Sequence, residues 1–183
     1  MTSRTRSRSI LPMLGALVAL AIAPAAWAAD AVVQEDAARA LRNGEQLIEQ
    51  GDFQHAAAEF ERASELQGGA CPECMLGVAR AYGGARQYAA GIQVTRMALA
   101  LLSTPEEQAK AYDQLGSLLA LKGDMNAARE AFGKAVQLDG RMAEQVRSSL
   151  AEALLKRASY SQASEHAAAG ADAVAEVGVR HAQ

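Results

Sequence analysis

Bulky core-forming side chains are scarce in this chain: eight of its 183 residues are aromatic, and one of these is tryptophan. Alanine instead supplies 43 residues, so the apolar half of the composition is largely methyl groups, which predicts a helical protein. Cysteine is limited to two residues, too few for the disulfide framework of a small knotted protein. There is no long basic block, and the formal net charge is -3, so a nucleic-acid binder held by phosphate contacts is disfavoured. His-x3-His pairs, a Gly-x-Ser-x-Gly elbow and a phosphate loop are all missing. His55, His166 and His181 stand alone, so no enzyme, metal site or cofactor is expected.

The first 28 residues differ from the rest. Arg4, Arg6 and Arg8 precede an apolar run from Ile10 to Ala23, and Ala26-Trp27-Ala28 follows. This order predicts a secretory signal peptide cleaved after Ala28. No cysteine follows the run to take a lipoprotein anchor, and no twin-arginine pair occurs. The mature chain would carry 15 basic against 21 acidic residues, with no integral membrane span. The short Arg- and Ala-rich leader suggests the periplasm of a Gram-negative bacterium.

Beyond the leader the chain repeats itself. Gly51-Asp52-Phe53 followed by Ala56, Phe60, Ala63 and Leu66 matches Gly123-Asp124-Met125 followed by Ala128, Phe132, Ala135 and Leu138, 72 residues later. Midway lie Tyr88, Gly91, Thr95 and Ala98 at the same offsets, and Tyr160, Ala163, Ala167 and Gly170 continue the series. On this pattern the chain resembles the tetratricopeptide repeat family, whose unit of about 34 residues is a pair of antiparallel helices. With Ala109 as position 1 of a unit, Tyr112, Leu115, Gly116, Leu119, Ala128, Phe132 and Ala135 fall at the signature positions 4, 7, 8, 11, 20, 24 and 27. All seven aromatics after the leader fall at large-residue positions 4, 11, 17 or 24.

The resemblance implies an all-α helix-turn-helix solenoid of about four repeats near 37–70, 72–105, 109–142 and 144–177, after a lead-in at 29–36 and before a tail at 178–183. The fourth unit, with Arg147 at position 4, Ala167 at 24 and Gly170 at 27, reads as a degenerate cap. Punctuation agrees with the period: Thr104-Pro105-Glu106-Glu107 reads as a helix cap, and Pro72 suits a first helical position.

One short motif carries chemistry, Cys71-Pro72-Glu73-Cys74 at the start of the second unit. Cysteines at i and i+3 face one side of a helix at a separation a disulfide can bridge, and an exported protein meets an oxidising compartment. Two reduced thiols serving as small hydrophobes, a thiol-exchange pair in which Cys71 attacks and Cys74 resolves, and a metal ligand pair are the other readings of the same residues.

Function is expected to follow from the architecture, because the first helix of each unit lines a concave wall. By the family pattern that groove would hold a protein or peptide partner against Arg42, Glu45, Glu49, Arg80, Lys110, Asp113, Gln114, Ser117, Glu152 and Lys156. The lysine and asparagine with which chaperone-docking repeats hold a terminal carboxylate would fall at Leu41 and Glu45, so that clamp is absent. Gly77, Gly83 and Gly84 thin the wall of the second unit, either to admit a bulky ligand side chain or as a loose helix end. The expected protein is a non-enzymatic interaction scaffold of the cell envelope, with a thiol-redox accessory as the alternative. Self-association through the ends of the solenoid is a further expectation.

Overall fold

A computed structural model describes the backbone of residues 23–180 and the side chains of residues 30–162. The expected leader up to residue 22, the last three residues and the side chains of the fourth unit's second half lie outside the described residues. The described chain holds seven α-helices and no strand: α1 (Ala23–Gln50), α2 (Phe53–Leu66), α3 (Pro72–Gly84), α4 (Tyr88–Leu101), α5 (Pro105–Lys122), α6 (Met125–Leu138) and α7 (Ala143–Arg180). Each helix packs on the next, and α1, α3, α5 and α7 also touch in sequence along one side. That is the right pattern for stacked helix pairs. The structure is therefore an all-α solenoid, as expected, with α1–α2, α3–α4 and α5–α6 as its complete units. Among the described residues, no helix is long and apolar enough to cross a membrane.

The turns inside the units explain where helices stop. Gly51 and Gly123 take left-handed φ values of 78° and 101° at unit position 15, a backbone state that glycine enters without a Cβ clash. Asp52 and Asp124 follow and cap α2 and α6, accepting from the amides of His55 and Ala127. In the second unit Arg86 occupies the same position with φ 62°, which costs a non-glycine residue about 1 kcal/mol. Thr104 caps α5 by accepting from the Glu107 amide, and Pro105 takes its first position.

Close packing inside each unit depends on one small residue facing one ring. A Cβ placed on Gly44 would lie 2.8 Å from Phe60, and one on Gly116 would lie 2.7 Å from Phe132. The second unit inverts this arrangement. Ala79 stands where Gly44 and Gly116 stand, Thr95 replaces the ring, and Gly91 lets α4 approach the Ala79 carbonyl. The buried Thr95 hydroxyl donates to the Gly91 carbonyl at 2.8 Å, so the polar substitute carries its own partner.

The fourth unit differs from the expected helix pair. No turn forms at its position 15, and α7 continues unbroken to Arg180. Ala158-Ser159 stands where the other units carry Gly-Asp or Arg-Gln, and alanine favours continuing the helix. The burial pattern of α7 follows. Val146 and Ala153, facing α5 and α6, are 8% and 3% exposed. Arg147, Ala151 and Leu154, at positions that face a unit's own second helix, are exposed. Among the described residues of α7, the face toward the preceding unit is thus buried and the face that would meet a second helix is not.

Candidate functional site

The first helices of the units run side by side and form the expected wall, but many of the residues assigned to binding hold that wall together. Arg80 of α3 pairs with Glu45 of α1, Gln114 Nε2 of α5 donates to the Leu76 carbonyl of α3 at 2.8 Å, and Ser149 Oγ of α7 donates to Asp113 Oδ2 of α5 at 2.9 Å. These partners are 35, 38 and 36 residues apart, about one unit each, so the three bonds tie successive first helices. Ser117 donates to the Asp113 carbonyl within α5. Lys110 pairs with Glu106 at 3.1 Å and Lys156 with Glu152 at 2.6 Å, both one turn away on the same helix and exposed. Arg42 and Glu49 are exposed on α1. Such surface pairs hold little free energy and exchange partners readily.

Asp113 is the electrostatic exception in the wall. Burial pushes its carboxyl above the ordinary value of 3.8, while the hydroxyl of Ser149 pulls the other way. Its second oxygen, Oδ1, is buried without a partner among the described residues. A carboxylate in that position destabilises the folded state when ionised.

The glycines that thin the wall admit the protein's own side chains. A Cβ at Gly77 would fall 2.4 Å from the Phe60 ring, one at Gly84 would fall 2.2 Å from Phe53, and one at Gly83 would fall 2.8 Å from Leu118. No ligand is needed to account for these positions.

A recess of about 430 Å³ opens in the wall where α1, α3 and α5 end and α7 passes. Ile48, Phe53, Leu118, Leu121 and Tyr160 supply its apolar surface, and Arg80, Lys156, Gln114 and Ser117 its polar groups. The Arg86 guanidinium lies 3.6 Å from the centroid of the Tyr160 ring, so α7 reaches back to the turn of the second unit. Tyr88 sits beneath that contact with a buried hydroxyl, and burial raises its pKa above the ordinary 10.0. Sequence reasoning missed the recess because it placed Tyr160 at unit position 17, in a second helix and among the large residues that fill space between units. The signal that could have placed it is the absence of glycine at Ala158.

Cys71 and Cys74 are joined by a disulfide with their Cα atoms 5.3 Å apart. Cys71 caps α3, its sulfur accepting from the Cys74 amide at 3.1 Å, and Pro72 takes the first helical position. Both residues are buried, 3% and 0% exposed, against Ala40 and Ala63. An attacking thiolate must approach along the S–S axis, and this packing leaves it little access. The pair therefore fastens the first turn of α3 to the core shared with α1 and α2. Among the described residues no group of three or more His, Cys, Asp or Glu side chains could hold a metal ion. His55 is exposed, its Nδ1 2.7 Å from the Asp52 carboxylate at the start of α2.

Known proteins agree with the repeat reading. Residues 109–141 match the profile of the tetratricopeptide repeat family. Two solved structures share the fold: the first tetratricopeptide domain of Spaghetti (RPAP3) bound to the HSP90 peptide SRMEEVD, and the C-terminal tetratricopeptide-containing domain of a Plasmodium falciparum putative FK506-binding protein. The first is 18% identical with TM-score 0.55, covering 68% of this chain and 95% of its own. The second is 17% identical with TM-score 0.52, covering 73% and 95%. Comparison with curated protein sequences finds no match. The chain thus matches the tetratricopeptide repeat over its third unit, and about two thirds of it share the fold of tetratricopeptide domains.

Proposed function

We propose that this protein is a non-enzymatic scaffold of the cell envelope that holds a segment of a partner protein in the concave groove. The carrying observation is the wall itself: α1, α3, α5 and α7 are tied edge to edge by Glu45–Arg80, Leu76–Gln114 and Asp113–Ser149, which builds a rigid, continuous surface. The similar solved domain that holds an HSP90 peptide supports a peptide-sized occupant. Leu41 and Glu45 stand where the chaperone-docking repeats carry their carboxylate clamp, so recognition here rests on other residues. The leader with Ala26-Trp27-Ala28 supports export and hence an envelope partner.

The test reverses exposed cations of the wall and spares those that hold it together. Arg42→Glu with Lys110→Glu is expected to abolish capture of the partner from a periplasmic extract while circular dichroism and the thermal midpoint stay unchanged. Undiminished capture by this folded variant would remove the groove from the account.

A further inference from the structure

The recess in the groove wall has a distinct chemistry. It rests on the reading of the groove as a binding surface and narrows what that surface accepts. Its apolar surface includes Ile48, Leu121 and the face of Tyr160, and its charged lining is Arg80 and Lys156, with no carboxylate among the lining residues. This stands against a chain in which acidic residues outnumber basic ones, 21 to 18. At the ends of α1, α3 and α5 that border the recess, some of the terminal carbonyls are taken up by turn amides, Leu47 by Asp52, Ala81 by Ala85 and Leu119 by Gly123, which reduces the negative charge that helix ends place there. Lys156 is half-exposed and paired with Glu152 one turn away on its own helix, a bond that costs little to exchange, while Arg80 stays bonded to Glu45 across the wall and adds its charge to the same lining.

We infer that the recess takes a bulky apolar side chain of an extended peptide whose neighbouring residue is acidic, the apolar group seating between Ile48, Leu121 and Tyr160 and the carboxylate meeting Lys156 beside the Glu45-bonded Arg80. The Arg86–Tyr160 stack fixes the wall against which the apolar group rests. Charge complementarity at a partly apolar site sets selectivity more than raw affinity.

Three eight-residue probes, acetylated and amidated, carry Phe-Glu, Phe-Lys or Ala-Glu at the centre of a Gly-Ser host, and binding to the full chain is followed by amide chemical shifts. The Phe-Glu probe is expected to shift Leu121 and Tyr160 and to bind roughly tenfold more tightly than either other probe. In Lys156→Glu the order of Phe-Glu and Phe-Lys is expected to invert, an outcome that a merely structural role of Lys156 would not produce. Equal binding of Phe-Glu and Phe-Lys, or no probe shifting the recess, overturns the inference. Shifts confined to the Lys110 end of the groove would overturn the recess but keep the groove, whereas shifts confined to α2, α4 and α6 would overturn both.

Discussion

Single residues in this protein act through the space they leave. Phe60 is buried between α1 and α3 because Gly44 and Gly77 both lack a Cβ, and it is among the largest fully buried side chains. Gly77→Ala is expected to destabilise the fold by about 1–3 kcal/mol, since the new methyl would stand 2.4 Å from a ring that has no room to move. Gly133→Ala is its control: nothing lies within 4 Å of that exposed position on α6, so the gain in helix propensity, up to about 1 kcal/mol, should appear as added stability. Urea midpoints of the two variants should move in opposite directions, and a shared direction would contradict the packing. Asp113 makes a different prediction. Its folded pKa is raised, so the stability it contributes is full below its unfolded value and is lost as pH rises through the folded one. Asp113→Asn removes that titration, and its stability relative to the parent should rise between about pH 3.5 and pH 7. A constant difference across that range would show that the carboxylate is comfortably solvated.

At the scale of the element, what was legible in the sequence was set by glycine. Gly51-Asp52 and Gly123-Asp124 announce their turns, and the helices stop there. Arg86-Gln87 gives no such signal, and its turn followed from the period alone, although its φ of 62° is unfavourable. Extending the same period to Ala158-Ser159 failed, because a repeat spacing describes an inherited pattern whereas local propensity decides whether a given turn forms. The groove shows the same division. Arg80, Gln114, Ser117 and Lys156, assigned to the groove by their spacing, do line the recess; that Glu45 would pair with Arg80, Gln114 with the Leu76 carbonyl and Asp113 with Ser149 could not be read, since the relative rotation of neighbouring units is not written at any one position. Copying the working turn into α7 tests this account. Ala158→Gly with Ser159→Asp should fold the helix into a pair, bringing spin labels at residues 148 and 174 from about 39 Å apart to under about 20 Å. An unchanged separation would mean that the missing second half of the unit has causes beyond its turn.

The molecule as a whole joins three complete helix pairs and a long last helix that reaches the turn of the second unit through the Arg86–Tyr160 contact. The disulfide lies within this framework, joining the cap of α3 to its first turn and buried beside Ala40 and Ala63. Everything then depends on the concave face being where a partner lies. The direct measurement is photo-crosslinking in periplasmic extract with a photoreactive phenylalanine analogue placed either at Ser117 in the groove or at Arg129 on α6. Adducts to a discrete protein from Ser117, with none from Arg129, are the predicted result. Adducts of equal yield from both positions, or from Arg129 alone, would contradict the groove as the binding surface.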